Sequence, residues 1–202
     1  MGSPADPDAA LMLRVQRGDL RAFEELVGKY QQAVANLVHR SLNDAAEAQD
    51  LTQTVFVQVY KSAARYRVSA KFTTWLFTIA RNLCLNELRR RSRHPAESLD
   101  QPHPDHPDEP QRPIVDGKAA GPVESALHVE LEAKIQEALD DLPENQRTAI
   151  LLCREQELSY EDIAAVLGCS LTAVKSLIHR GRETLKRRLK PYLRTGEWSP
   201  DP

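Results

Sequence analysis

The segment from Leu158 to Arg182, LSYEDIAAVLGCSLTAVKSLIHRGR, constrains the fold more than any other part of the chain. Ser159 can cap a first helix, and Gly168 can take a tight turn because positive φ costs glycine little. The small Ala164 lets a second helix cross closely, and the apolar Val174 packs that helix against the first. This spacing predicts a helix-turn-helix.

The second helix of this motif combines an apolar face with a cationic face. Leu171, Val174 and Leu177 or Ile178 form the inner face. Between Ser170 and the end of the helical pattern lie the cations Lys175, Arg180, Arg182, Lys186, Arg187, Arg188, Lys190 and Arg194. The formal net charge of the whole chain is only −2, so this positive charge is local. A solvated basic face is the alternative, but the turn signature favours a helix that enters the major groove of DNA.

The composition predicts an all-α protein. The 202 residues allow one or two domains, and 5% aromatic residues with eight glycines argue against an all-β fold. The three cysteines lack CxxC spacing and lie in apolar helical contexts, which indicates buried free thiols in a reducing compartment. We find neither an apolar run long enough to span a membrane nor a signal peptide. We therefore expect a soluble cytoplasmic protein without membrane insertion.

The N-terminal half reads as a series of amphipathic helices. Asp19 can cap a long helix, and Asn43 or Asp44 can open the next. The latter helix carries a polar face made of Asp44, Glu47, Gln49, Asp50 and Gln53. Such a face is usually solvated, and acids in the first turns suit the helix dipole. A protein-docking surface is the alternative.

Basic and aromatic residues alternate between Arg65 and Thr74. Cations can meet phosphates and rings can stack on exposed bases, so this loop suits single-stranded nucleic acid. Equally, Tyr66 and Phe72 can belong to the core. A strong helix follows from Thr74 to Arg93, and its residues Asn82, Asn86, Arg89 and Arg93 recur on one face, where they can contact bases and phosphates.

A proline-rich stretch divides the chain into two lobes. Residues 95–122 contain many prolines and few large apolar side chains, which predicts a flexible linker that reaches roughly 90 Å when extended. His103 and His106 flank prolines in this tract, so we do not expect them to form a metal site. We expect a disordered leader over 1–8, a first lobe over 9–94, a second lobe over 123–194 and a tail over 195–202.

Three stretches in this order resemble a known family: DAAEAQDLTQTVFVQVY from Asp44, FTTWLFTIARNLCLNELRRR from Phe72, and LPENQRTAILLCREQELSYEDIAAVLGCSLTAVKSLIHRGR from Leu142. The chain resembles a bacterial RNA polymerase sigma factor of the extracytoplasmic-function (ECF) type, which has only two sigma domains. Leu177 departs from the pattern, because similar sequences often carry Arg there.

The resemblance implies roles for the three polar surfaces. It implies a partnership with the β′ clamp helices and β subunit of the RNA polymerase core, with promoter DNA, and with an anti-sigma factor. No cofactor or metal is implied. The implied polymerase-binding residues are Asp44, Glu47, Gln49, Asp50 and Gln53. The residues implied in −10 recognition and melting are Arg65, Tyr66, Arg67, Lys71, Phe72, Thr73, Trp75, Asn82, Asn86, Arg89, Arg90 and Arg93. The residues implied in −35 recognition are Ser170, Thr172, Ala173, Lys175, Ser176, His179, Arg180, Arg182 and Lys186.

Two other classes of function fit less of the sequence. A response-regulator-like transcription factor would share the helix-turn-helix but would need a phosphoacceptor domain with a parallel sheet, and residues 9–94 show no strand pattern. An enzyme would need a catalytic constellation. The sequence contains no Gly-rich phosphate loop, no nucleophile motif and no metal spacing.

Overall fold

A computed structural model describes residues 6–93, 122–155 and 158–195. Within these ranges the chain forms α-helices and one short 3₁₀ turn, and contains no strand. The helices are α1 (Pro7–Gln16), α2 (Leu20–Leu42), α3 (Ala45–Lys61), α4 (Phe72–Arg93), α5 (Pro122–Asp140), α6 (Glu144–Glu155), α7 (Tyr160–Leu167) and α8 (Leu171–Thr195). The 3₁₀ turn spans Ala63–Arg65. The all-α prediction is confirmed.

Helix α2 lies at the centre of the first lobe. Its stripe of Leu26, Tyr30, Val34, Leu37 and Val38 is buried, and α1, α3 and α4 pack against it. Three-and-four spacing brings these residues onto one face of the helix. The first lobe therefore has a core with α2 inside, which leaves the outer faces of α3 and α4 at the surface.

Side-chain caps set the starts of the helices. Asp19 accepts hydrogen bonds from the backbone N–H groups of Arg21 and Ala22 at the start of α2. Asp44, rather than Asn43, caps α3, because Asn43 adopts the left-handed conformation with φ 52°. Short polar side chains at these positions satisfy N–H groups that have no partner within the helix.

The structure corrects the expected N-terminal boundary. Asp6 caps α1, and its other carboxylate oxygen accepts a 2.7 Å hydrogen bond from the backbone N–H of Phe72. Asp8 is buried and pairs with Lys29 and with the Tyr30 hydroxyl. A buried carboxylate requires such partners. Residues 6–8 therefore belong to the first lobe, and only the first five residues of the predicted leader lie outside the described ranges.

The second lobe packs α6 and α7 against α8. Ala149, Leu152, Ile163, Val174 and Ile178 are buried at their contacts. Helix α8 continues through Pro191 to Thr195. Residues 95–121 of the predicted linker, with His103 and His106, and residues 196–202 of the predicted tail lie outside the described residues, whereas Pro122 begins α5 and Thr195 ends α8.

The cysteines are free thiols, as expected, but only Cys84 is buried, and burial raises its pKa to about 12. Cys153 and Cys169 are half-buried. Among the described residues no single helix is long and apolar enough to cross a membrane. The α7–α8 pair meets that test by length and composition, but it bends by 98° at its turn.

Candidate nucleic-acid interfaces

The helix-turn-helix forms as its sequence predicts. Ser159 accepts a hydrogen bond from the N–H of Asp162, and Ser170 accepts one from the N–H of Ala173. Gly168 ends α7 with φ 65°, in the left-handed region that glycine adopts cheaply. The 98° bend between α7 and α8 lies in the range of DNA-binding helix-turn-helix motifs. The second helix is thereby held across the first with its outer face free.

The outer face of α8 carries most of the predicted −35 residues. Thr172, Lys175 and His179 are exposed along its first turns, whereas Ala173 and Ser176 are half-buried. Farther along the helix, the cations Arg180, Arg182 and Lys186 are exposed. Small polar groups near the helix start and cations beyond them match a recognition helix that reads bases first and grips phosphates later.

Two further residues of α8 pack toward the core. Of the two candidates for the inner face, Ile178 is buried, and Leu177, the departure from the family pattern, is half-buried against the core. Gly181 was not singled out from the sequence. A Cβ atom there would lie 2.4 Å from Ile150 Cδ1 and 3.3 Å from Ile150 Cγ1. Glycine thus lets α8 approach α6 closely, a requirement that depends on tertiary contact and leaves no local sequence signal.

The first lobe presents a second polar face on α4. Asn82, Asn86, Arg89 and Arg93 are all exposed, so the predicted i, i+4, i+7, i+11 face exists. Arg90 belongs to a different arrangement, because it pairs with Glu87 and Glu47. Its guanidinium is engaged within the lobe in this structure, which weakens its assignment to DNA.

The loop between α3 and α4 divides its basic and aromatic residues between surface and core. Arg65 and Arg67 are exposed, whereas Tyr66 and Phe72 are 1% and 0% exposed. The Tyr66 ring lies edge-on to Phe72 and Trp75, with centroids 6.3 and 5.0 Å away. Burial of both rings favours the second of the two alternatives, in which Tyr66 and Phe72 belong to the core. Thr73 and Trp75 are half-buried.

Lys71 is exposed but not free. Its Nζ donates a 2.8 Å hydrogen bond to Asp162 Oδ2 on α7. That hydrogen bond raises the pKa of Lys71. Partial burial would raise the pKa of Asp162, but hydrogen bonds from Lys71 and Ser159 outweigh it and lower the pKa. Both shifts favour the charged pair.

The polar face of α3 splits into two parts. Asp44 caps the helix, and Glu47 pairs with Arg90 and Arg91 of α4. The capping role of Asp44 is one of the two alternatives that the sequence offered. The ion pairs of Glu47 were not indicated by the sequence, because Arg90 and Arg91 lie more than forty residues away. Gln49, Asp50 and Gln53 are exposed. The surface available for docking on this face is thus narrower than predicted.

The described residues contain no group of three or more His, Cys, Asp or Glu side chains placed to hold a metal ion. The three surfaces present amides, hydroxyls and cations, together with the acid and amides of α3. Their chemistry is that of binding.

Family profiles match both lobes. Sigma-70 region 2 matches residues 26–94, and Sigma-70 region 4 matches residues 132–185. The RNA polymerase sigma-H factor of Pseudomonas aeruginosa is 39% identical over 189 residues, which cover 94% of this chain and 97% of that protein. The ECF RNA polymerase sigma-E factor of Escherichia coli K12 is 34% identical over 191 residues, covering 93% and 96%. The chain belongs to the ECF sigma factors.

Solved structures share the fold. CnrH, in complex with the cytosolic domain of CnrY, aligns with a TM-score of 0.68 at 24% identity and covers 92% of this chain and 99% of its own. RpoE of Bartonella quintana, in complex with the anti-sigma factor NepR, aligns with a TM-score of 0.62 at 24% identity, covering 83% and 96%. The family matches, rather than these structures, show that the chain is a promoter-directing sigma factor, of a family whose members are regulatory DNA-binding proteins rather than enzymes.

We expect two substitutions of the buried Tyr66 to have different effects on the free energy of unfolding. Its hydroxyl is buried without a hydrogen-bond partner. A buried hydroxyl without a partner is destabilising, so Tyr66→Phe should leave the free energy of unfolding equal to wild type or raise it by up to about 1 kcal/mol. Tyr66→Ala removes the ring from the core and should lower it by about 3–5 kcal/mol. Urea unfolding followed by circular dichroism measures both. A loss above about 1 kcal/mol for Tyr66→Phe would show that the hydroxyl has a partner.

Proposed function

We propose that this sigma factor divides promoter recognition between its lobes. The α8 face from Ser170 to Lys186 reads the −35 element as duplex. The exposed face of α4, together with Arg65, Arg67 and Lys71, binds and melts the −10 element. The observation that carries the proposal is the outward face of α8, which presents Thr172, Lys175 and His179 before a run of exposed cations.

We further propose that the exposed part of the α3 face docks on the β′ clamp helices of the RNA polymerase core, with additional contacts to the β subunit. Support comes from the exposure of Gln49, Asp50 and Gln53, which have no capping or ion-pairing role like those of Asp44 and Glu47. Asp44 and Glu47 then position the face by fixing α3 to α4. The linker over 95–122 lets the lobes engage separate promoter elements.

An anti-sigma factor is a proposed partner of this chain. One structural neighbour, RpoE of Bartonella quintana, was solved in complex with the anti-sigma factor NepR. We place the chain in the cytoplasm, where its homologues act on RNA polymerase, and propose that it functions without catalysis of its own, cofactor or metal.

The docking assignment predicts different outcomes for two acids of α3. Asp50→Lys should weaken core polymerase binding by roughly two- to tenfold with unchanged thermal stability, because a rim charge pair contributes up to about 1 kcal/mol and reversal adds repulsion. Glu47→Gln should lower the free energy of unfolding by less than about 1 kcal/mol, because it weakens the ion pairs with α4. Glu183→Lys, the same charge change on the second lobe, is the control. Equal core affinity for Asp50→Lys and Glu183→Lys would contradict the assignment.

We expect substitutions in α8 to have two distinct effects: some change the preferred −35 sequence, and others weaken binding to every promoter. Lys175→Ala or Ser176→Ala should change which −35 sequences bind best, because each well-placed hydrogen bond to a base edge contributes roughly 1–3 kcal/mol of discrimination. Arg182→Ala should weaken all promoters similarly and reduce the salt slope by about one ion. Holoenzyme binding curves over single-base −35 variants, at several salt concentrations, separate the two effects. If Arg182→Ala reorders the preference while the other two only scale it, α8 faces the DNA differently.

A further inference from the structure

We propose that helix α1 acts as a clasp on the loop of residues 66–71, which joins the 3₁₀ turn to α4 and contributes to the proposed −10 surface. The two ends of α1 hold the two ends of this loop, so that the loop is preset to capture an unpaired promoter strand. The inference rests on the proposed function for the identity of that strand. It adds Asp6 and Gln16, which lie outside the candidate promoter surfaces, as positioning residues for melting.

The C-terminal end of α1 holds the start of the loop. The Gln16 side-chain amide donates hydrogen bonds to the backbone carbonyls of Ala63 and Ala64, both at 3.1 Å. The same two carbonyls organise the first residues of the loop. The Tyr66 N–H donates to the Ala63 carbonyl at 3.0 Å, and the Arg67 guanidinium donates to the Ala64 carbonyl at 3.2 Å. One glutamine thus joins α1 to both acceptors at the loop entrance.

The N-terminal end of α1 holds the other end of the loop. One oxygen of the Asp6 carboxylate accepts a 3.0 Å hydrogen bond from the Asp8 N–H and so caps α1. The other oxygen accepts a 2.7 Å hydrogen bond from the N–H of Phe72, the first residue of α4. The first N–H groups of a helix have no partner within that helix. A single carboxylate therefore caps two helices and fixes the start of α4 directly after the loop.

Helix α1 is itself anchored, which makes it a rigid support. Met12 and Val15 are buried in the core of the first lobe. The buried Asp8 carboxylate pairs with Lys29 Nζ at 2.6 Å and accepts a hydrogen bond from the Tyr30 hydroxyl, and both partners lie on α2. At about 1.5 Å per residue, the ten residues of α1 span roughly 15 Å. The two ends of the loop are therefore attached to points whose separation is set by a helix.

Fixed ends reduce the conformational freedom that the loop loses when it binds. A segment that becomes ordered only on binding loses its conformational entropy at that moment, which weakens the complex. Here Arg67 and Val68 are already exposed along the loop, and its turn is closed by a 2.8 Å hydrogen bond from the Ser69 N–H to the Arg67 carbonyl. Because α1 holds this arrangement before DNA arrives, less entropy is lost when an unpaired strand is captured.

Amide hydrogen exchange, measured by NMR on the full-length protein, tests the clasp without DNA. Gln16→Ala removes both hydrogen bonds to the 3₁₀ turn and should speed exchange at the Tyr66 N–H by about two- to tenfold, as expected for loss of ordinary hydrogen bonds. Asp6→Ala should do the same at the Phe72 N–H. Gln31→Ala, the same change as Gln16→Ala at an exposed site on α2, is the control and should leave both rates unchanged. Circular dichroism melts show whether each variant is folded.

Promoter opening tests the positioning role. The template is a promoter selected by transcription from a randomised library with the wild-type holoenzyme, and the rate of appearance of short RNA measures opening. The Gln16→Ala holoenzyme should open the duplex template about two- to tenfold more slowly than wild type or Gln31→Ala, because part of the hydrogen bonding that presets the loop is lost. Binding of the closed complex should be unchanged. On the same template with a mismatched −10 bubble, Gln16→Ala should match wild type, because the strands are already separated.

A donor at position 16 should rescue both properties. The guanidinium of Gln16→Arg can donate to the two carbonyls of the 3₁₀ turn, so this variant should exchange at Tyr66 as wild type does. It also adds a positive charge, which by itself favours DNA binding. Gln31→Arg adds the same charge on α2, and Gln16→Arg should open the duplex template at the rate of that control. A general loss of stability would not be repaired by a donor in this way.

The measurements fail in distinguishable ways. Unchanged exchange at Tyr66 in folded Gln16→Ala would overturn the clasp. Faster exchange with wild-type opening, or equal slowing on the duplex and bubble templates, would overturn the positioning role in melting. If the wild-type holoenzyme selects no promoter from the library, the proposed −10 function fails, while the exchange rates still decide the clasp.

Discussion

Burial of the apolar stripe of α2 is the constraint on which the rest of the structure depends. Leu26, Val34 and Leu37 have to be covered, and α1, α3 and α4 cover them, so each of those helices has one face committed to the core. Their remaining faces become the working surfaces: the exposed amides and Asp50 on α3, and the asparagine and arginine face on α4. The end of α2 that carries Arg40 also meets the second lobe. A single buried helix thereby positions the proposed polymerase, promoter and inter-lobe contacts.

The placement of charge follows from helix geometry in a chain that is almost neutral overall. Arg89 and Arg93 of α4 lie on the solvent face, whereas Arg90 and Arg91, offset by about 100° per residue, turn toward the acids of α3. Neighbouring arginines in one run thus have different roles, one pair available to nucleic acid and one pair tying α3 to α4. In the second lobe, Arg188 pairs with Asp141 while Arg182 and Lys186 remain exposed.

Features that depend on local spacing could be predicted from the sequence, and features that depend on distant partners could not. The caps at Asp19 and Ser159, the turn at Gly168 and the outward face of α8 involve residues within a few positions of one another. The burial of Tyr66 and Phe72 depends on ring contacts with Trp75 and Tyr30. The alternating basic and aromatic pattern does not reveal those contacts, so it was compatible with both a surface and a core position. Likewise, Glu47 looked like part of a free polar face because its arginine partners lie on another helix. The burial of Asp8 required Lys29 and Tyr30, which no local pattern connects to it.

The central claim is that one chain brings two separate promoter elements to RNA polymerase. The most direct measurement is transcription in vitro with purified core polymerase and a library of randomised promoters, sequenced from the transcripts. The account predicts that adding this protein enriches templates that share two short elements at a fixed spacing upstream of the start site. Enrichment of a single element, or transcription that does not depend on the added protein, would contradict it.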